Sequence, residues 1–596
     1  MQTIDWIVVI CYLTATMVLG VYLSKQASKS MEDFFVSGRN LSWWLAGTSM
    51  AATTFSIDTP LYICGVVATR GIAGNWEWWS FGIAHIVLIY IFARLWRRAE
   101  IVTDAELTEI RYGGKMAAVL RATKAFLFAV PINCIGIGYA MLAMVKVVSA
   151  LQLWESLGLN AGESGKLWSV VAVSLFVLIY SGFSGLWGVV VTDFFQFFLA
   201  LFGAIAVAVV SVNHVGGIHE LVPAVQKATD IDVLSFVPLM KGEGLLNWQW
   251  SDVAGISLST FSAYLLVQWW SFRRSDGGGE FIQRLVSAKD EAEAEKAAWF
   301  FNILNYIIRT WPWILVALVG IVIYPNLEDP ELAYPKLMLD FLPPVILGIV
   351  VASLIAAFMS TVSTSINWGA SYITNDLYRR FFAPNASQTQ LVFAGRIASI
   401  LVTFFGAIAA FYAKDITTIF RLVISIGTGP GLVLILRWYW WRINATAELA
   451  AMVAGFIIGL TSVIPNLNIF PSDFGYRLMI ISGSTAIIWV TAMYLTPPES
   501  EETLNKFYLR VRPAGIGWQK QRETTGVSPL QNLQLDCLKV IASVLLLFGL
   551  MLAIGGFLLL QSATGWIALI IAVIGGFWLK QLNKKPIFPM PRPGSE

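Results

Sequence analysis

The sequence predicts an all-α integral membrane protein with about 15 transmembrane helices, and three observations carry that prediction. The 596-residue chain is 57% hydrophobic and only 13% charged. Its mean hydropathy is +0.69. Its apolar residues gather into runs long enough to cross ~30 Å of hydrocarbon, and Lys and Arg collect mainly on one side of those runs.

The runs lie near 4–24, 42–69, 76–97, 117–150, 167–186, 188–213, 250–272, 297–324, 341–377, 391–413, 416–438, 446–465, 477–495, 537–560 and 564–582. The first, Ile4 to Leu23, lacks a basic leader and a small-residue cleavage site, so it reads as a retained helix. The split within 167–213 rests on Ser181-Gly-Phe-Ser-Gly185, a turn-like break. With the N-terminus outside, inner segments collect Lys25, Lys29, Arg39, Arg94, Arg97, Arg98, Arg379, Arg380 and many more cations. The outer segments hold Arg70, Lys166, Lys227, Lys241, Lys336, Lys414 and Arg477. That asymmetry predicts a multi-pass protein of the cell membrane with its N-terminus outside and its C-terminus cytoplasmic.

Composition also excludes functions. A net charge of +3 implies no nucleic-acid partner. Cys11, Cys64, Cys134 and Cys537 have no metal-ligand spacing, and His85, His214 and His219 form no cluster. The longest polar stretches, 214–249 and 496–536, are too short for an enzyme core. No nucleophile–base pair appears, so the chain reads as no enzyme and as needing no organic cofactor. Oligomeric state is not readable.

Two stretches carry chemistry. Leu354 to Tyr378 is the later part of one long helix, yet its middle is full of hydroxyls. Ser360 and Thr361, one turn beyond Ala357, offer two side-chain oxygens and a carbonyl to one point, a set suited to a small hard cation. Hydroxyls in membrane helices also bond back to carbonyls or glue neighbouring helices. The second stretch, Gly47 to Leu61, brings Ser56, Asp58, Thr59 and Pro60 to membrane depth. A helix break is tolerated there only beside a protein-lined cavity, and it frees carbonyls that complete an ion site.

Three ionisable residues stand inside apolar spans, where they are costly. Asp193, in Val191-Thr-Asp-Phe-Phe-Gln196, is functional or paired to a neighbouring helix. Glu77, wrapped in Trp76, Trp78 and Trp79, either meets a solute or sits in an outer aromatic belt. Arg309 shares one helix face with Asn302, Asn305 and Tyr306 and needs a partner: a ligand carboxylate, or Glu77 or Asp58.

These stretches resemble the sodium/solute symporter family, which includes sodium/galactose and sodium/proline carriers. The resemblance runs through roughly residues 5 to 460 and has no gaps from Leu354 to the closing Asp376-Leu-Tyr378. It implies a core of five helices repeated upside down by the next five. The resulting division is 1–40 first helix and inner loop, 41–213 first repeat, 214–249 outer loop and 250–440 second repeat. Two further helices (441–495), a cytoplasmic loop (496–536) and a terminal hairpin and tail (537–596) follow. The resemblance also implies that the carbonyls of Ala52, Phe55 and Ala357 and the hydroxyls of Ser360 and Thr361 hold one Na⁺, with Asp193 on its route to the cytoplasm. Solute contacts carry over to Asp58, Thr59, Glu77, Gln268, Trp269 and Trp270, and Asn305 joins them as a candidate from its place on the Arg309 helix face. Arg309 falls where the sugar carriers have a solute-binding lysine.

The sequence departs from the sugar carriers after Trp270, where 271–279 inserts Gly277-Gly-Gly279 before Gln283-Arg284. Three glycines suggest a phosphate loop, but no strand precedes them and no Gly-Lys-Ser/Thr follows. A flexible inner gate or connection is the expectation. The predicted function is sodium-coupled symport of a small polar solute, carboxylate-bearing or zwitterionic, by alternating access. A sugar is the alternative solute, and a transporter-like sensor docking a partner through 496–536 is the alternative class.

Overall fold

The computed structural model describes residues 1–27, 37–156, 158, 164–241, 248–251, 255–464 and 469–584, most of them helical. Lys29 and Lys585, both counted as inner cations in the sequence expectation, lie outside the described residues. The chain begins with α1 (Thr3–Ala27) and a bent pair, α2 (Trp43–Thr54) and α3 (Asp58–Arg70). Next come α4 (Ile72–Ala99), α5 (Gly114–Ala150) and α6 (Gly165–His214). A second group is α7 (258–271), α8 (Glu280–Ser287), α9 (Glu291–Ile323), α10 (Ile346–Phe382), α11 (Gln388–Tyr412), α12 (Ile416–Gly427) and α13 (Gly431–Leu436). Then follow α14 (Ala445–Thr461), α15 (Phe474–Leu495), α16 (Glu501–Val511), α17 (Leu533–Leu558) and α18 (Ser562–Leu582). Among the described residues, nine helices are long and apolar enough to cross a membrane, ten counting the bent pair, and four apolar helices are shorter.

Three boundaries differ from the sequence expectation. The helical backbone continues through 181–185, because glycines weaken a helix by about 1 kcal/mol each without necessarily ending it. The expected span at 250–272 begins only after Ser257, whose hydroxyl caps the helix by accepting from the Thr260 amide at 3.2 Å. Trp250 instead closes an antiparallel pairing with Leu239. The span expected at 416–438 is interrupted at Gly429-Pro430, where Gly429 adopts φ +117° and proline supplies no amide hydrogen.

Two helix breaks position the site. Between α2 and α3 the axis bends by 54°. Asp58 heads α3, where a carboxylate suits the positive helix end, and Pro60 lies in the first turn, whose amides have no intrahelical partner. The second break, 272–279, separates α7 from α8. Its backbone pairs with the α12–α13 link: the Arg273 amide donates to the Gly427 carbonyl and the Gly429 amide to the Ser271 carbonyl, each at 2.8 Å. Gly277 and Gly279 both take φ +85°, and a Cβ on Gly277 would run into Leu88. This segment is buried and clamped rather than a flexible connection.

The helix α10 runs through the core, in contact with α1, α2, α5 and α6. Its N-terminal amides are met from α1: Asp5 Oδ1 accepts from Val345 at 2.8 Å and from Gly348 at 3.2 Å. Asp5→Ala should therefore lower stability by about 1 kcal/mol, the scale of a lost cap. Thermal unfolding of the purified variant against Asp5→Asn measures it.

The segment 496–536 is not free-standing. Leu504, Phe507, Tyr508, Val511 and Trp518 are buried. The Arg111 guanidinium lies 4.9, 5.3 and 5.0 Å from the rings of Tyr112, Phe507 and Trp518. Nearby, Glu109 on the short helix Glu106–Arg111 pairs with Arg121 at 2.7 Å and Arg380 at 2.9 Å. Burial pushes its carboxyl up, but hydrogen bonds from Arg380 and Arg121 prevail and hold it below its ordinary value. A lowered folded-state value stabilises above the unfolded value, about 4.3, and that stability fades as pH falls through the folded one. Melting temperature should thus hold down to about pH 4.5 and fall below it toward about pH 3, less steeply in Glu109→Gln.

At the C-terminal side, α17 packs against α4 and α9. Trp311 Nε1 donates to the Met551 carbonyl at 3.0 Å, and the Phe548 ring lies 5.4 Å from Trp76 and 6.3 Å from Tyr306.

Candidate functional site

The hydroxyl face of α10 meets α2 just before the first break. Ser360 Oγ donates to Asp193 Oδ1 at 2.6 Å, and Ser49 Oγ to Asp193 Oδ2 at 2.5 Å. Thr361 Oγ1 donates to the Thr53 carbonyl at 2.9 Å. A hydroxyl that has given its proton away presents only lone pairs, so both oxygens are pre-set as acceptors. The Ala52 carbonyl accepts from the Phe55 amide at 3.0 Å where the helix ends. Neutral hard oxygens of this kind fit a small hard cation. Among the described residues no cluster of three His, Cys, Asp or Glu side chains could hold a metal instead.

Asp193 is fully buried. Besides the two serines, Arg284 of α8 lies 3.8 Å from its Oδ2, and Arg284 donates to Thr364 Oγ1 at 2.7 Å. Asp193 is thus paired, and it touches Ser360.

A cavity of about 200 Å³ opens beside this face. Asp58, Thr59, Asn305 and Arg309 line it, as does Thr361. Arg309 is 3% exposed. It donates to the Ala51 carbonyl at 3.1 Å and its own-helix Asn305 carbonyl at 3.3 Å. Its guanidinium lies 5.6 Å from the Phe55 ring and 5.4 Å from Trp313, a mixture of carbonyl and π contacts that suits arginine.

Glu77 is placed elsewhere. Its carboxylate is fully buried, accepting from Tyr62 at 2.6 Å and from Arg70 and Arg421 at 2.7 Å each. It pairs with these arginines rather than with Arg309, and it does not line the cavity. Gln268 donates to the Glu77 carbonyl and to Ser80 Oγ, and Trp270 to the Leu266 carbonyl at 2.6 Å. Neither they nor Trp269 reach the cavity lining.

The structure adds residues that sequence reasoning passed over as site residues: His85, Tyr139, Arg273 and Arg274 line the cavity, as does Tyr306 from the helix face of Arg309. His85 Nδ1 lies 2.8 Å from Tyr306 Oη, and the Tyr306 ring stacks on Trp78 at 6.0 Å. A histidine within an apolar span was the available signal for His85. Adjacent arginines at the Gly-rich departure were the signal for Arg273 and Arg274.

Comparison with known proteins follows the same lines. A family model described as the sodium:solute symporter family matches residues 34–455. The chain is 27% identical over 487 residues to a sodium/glucose cotransporter of Vibrio parahaemolyticus, covering 77% of this chain and 84% of that one. It is 24% identical over 466 residues to a sodium/proline symporter 2 of Staphylococcus saprophyticus, covering 76% and 84%. Its fold matches the solved substrate-bound, outward-open structure of a Na⁺-coupled sialic acid symporter. That match has a TM-score of 0.65 at 21% identity and covers 84% of this chain and 99% of that one.

Proposed function

The chain belongs to the sodium:solute symporter family, and from that premise we propose that it imports a small polar solute, carboxylate-bearing or zwitterionic, with Na⁺. One observation carries the reading: the hydroxyl face of α10 meets α2 just before its break, Thr361 through the Thr53 carbonyl and Ser360 through Asp193 shared with Ser49, and Thr361 borders the cavity that Asp58 and Arg309 line. In this reading Na⁺ takes the carbonyls of Ala52, Phe55 and Ala357 and the two hydroxyls. Asp193, bonded to Ser360, receives the ion on its way inward. Asp58, Thr59, Asn305 and Arg309 hold the solute. Sodium/glucose and sodium/proline relatives support sodium coupling and leave the solute open.

Coupling then has a structural basis. The same break supplies the ion's carbonyls and, at Asp58 and Thr59, solute contacts, so ordering it for one ligand favours the other, reciprocally. The five-plus-five repeat at 41–213 and 250–440, with the N-terminus outside, completes the proposal. A sensor reading is disfavoured because Leu504, Phe507, Tyr508, Val511 and Trp518 of 496–536, its docking segment, are buried, leaving Leu509 and Ile516 as its exposed large apolar residues. The test is thermal unfolding of the purified protein with carboxylates, amino acids, betaines and sugars, in Na⁺ and again in K⁺. A ligand at 100 times its Kd stabilises by about 2.7 kcal/mol. Stabilisation confined to Na⁺, with sodium-driven uptake into proteoliposomes, is expected; equal shifts in both salts would refute sodium coupling.

A further inference from the structure

The insertion at 272–279 belongs to the cavity wall. Charged side chains lining that cavity comprise three arginines, Arg273, Arg274 and Arg309, and one carboxylate, Asp58. Two of the arginines come from the second helix break, where the sequence departs from the sugar carriers. The Arg273 guanidinium lies 5.3, 5.5 and 5.7 Å from the rings of Phe128, Phe272 and Trp368, which hold it flat. Arg274 beside it is only partly buried.

The loop that carries them is anchored from behind. Asp276 Oδ2 accepts from Arg437 at 2.7 Å and from Trp438 at 3.1 Å, and the Asp276 carbonyl accepts from Trp96 at 2.6 Å. Ser275 Oγ donates to the Gly431 carbonyl at 2.8 Å. With glycines at φ +85° on either side of Gly278, the backbone turns sharply back into α8. Cationic groups held this firmly need little reorganisation to receive an anion.

Resting on the symporter reading, we infer that the 272–279 loop selects for negative charge on the solute. Arg274 and Arg309 take its carboxylate, and Asp58 takes hydroxyl or ammonium donors on the remainder. The solute class is an organic carboxylate bearing such donors. A planar guanidinium grips a carboxylate through two parallel hydrogen bonds, a geometry that a neutral sugar or an amide does not match. Asp276 is a positioning residue that sets where Arg274 stands.

The experiment uses the full-length protein and matched probes: hydroxy and amino carboxylates, each beside its primary amide, and gluconate beside glucose. Binding is followed in Na⁺ and in K⁺. The carboxylates should bind at least about tenfold tighter than their neutral or amide counterparts, in Na⁺ only, the scale of one charged hydrogen-bonding partner. Arg274→Gln should erase most of that preference and Arg274→Lys only part of it, with stabilisation by Na⁺ alone reporting that both variants fold. Asp276→Asn should raise KM for the carboxylate more than it lowers the maximal rate. Amides or sugars binding as tightly as carboxylates in Na⁺, or an acid-to-amide ratio unmoved by Arg274→Gln and Arg309→Gln, would overturn the inference and leave sodium symport standing. Carboxylates that do not bind at all would also overturn the inference alone, whereas probes that bind equally in Na⁺ and K⁺ would remove the sodium-coupled reading and this inference with it.

Discussion

Replacing Ser360 and Thr361 together by alanine should abolish sodium-dependent stabilisation and sodium-driven uptake. Each hydroxyl hydrogen is engaged within the protein, by Asp193 and by the Thr53 carbonyl, which leaves the oxygen lone pairs to accept from a cation in the proposed site. A contact between a charge and a neutral dipole contributes about 1.5–3 kcal/mol. Losing two lowers sodium affinity by at least roughly a hundredfold. In the proposed arrangement ion and solute share one helix break, so solute affinity should fall in the same variant although neither residue is among the proposed solute contacts. Thr361→Ser keeps the oxygen and should keep most of the coupling. Sodium titration of melting temperature, with and without solute, reads both effects. Undiminished sodium dependence in the double variant would place the ion elsewhere.

Glu77→Gln should give the largest loss of stability among single changes. The carboxylate is buried between Arg70 and Arg421, with Tyr62 donating a third hydrogen bond. Removing its charge leaves two guanidinium groups facing a neutral amide, and breaking a buried ion pair from one side costs about 3–5 kcal/mol. Arg421→Gln added to Glu77→Gln removes one of the two stranded cations and should recover part of that loss. The same cluster joins α3 and the segment after it to α12, elements from opposite halves of the core. A looser junction should therefore show as faster exchange of solvent into the cavity, read by cysteine labelling at Thr59→Cys. Unchanged melting of Glu77→Gln would mean the arginines find other partners.

The parts of the site legible in the sequence are those written in short-range pattern. Hydroxyls crowded into 360–364 of an apolar helix, and Asp58-Thr59-Pro60 ending an apolar run, mark α10 and the first break without any knowledge of what faces them. Asp193 announces itself by its cost in an apolar span. Long-range pairing is not written this way. Nothing near Glu77 in the chain predicts that Arg421, 344 residues later, would occupy it, and with Arg70 that pairing keeps Glu77 from the cavity. The glycines at 277–279 look permissive because their sequence neighbours are polar. What fixes them is Leu88, Trp96 and Arg437, contributed by distant segments. Local composition reports where a backbone bends, and tertiary contacts decide whether the bend is loose or held.

The packing of α17 behind the cavity has a consequence in time. Trp311 and Met551 are separated by 240 residues. At synthesis rates of about 5–20 residues per second, the indole of Trp311 waits roughly 10–50 s after its own translation for its acceptor to be made. Throughout that interval the wall formed by Trp76, Tyr306 and Trp311 stands without Phe548 and Met551 behind it. The α17 side of that wall is made late in synthesis, and a chain stopped before residue 533 carries every residue that lines the cavity yet leaves Trp76, Tyr306 and Trp311 without Phe548 and Met551.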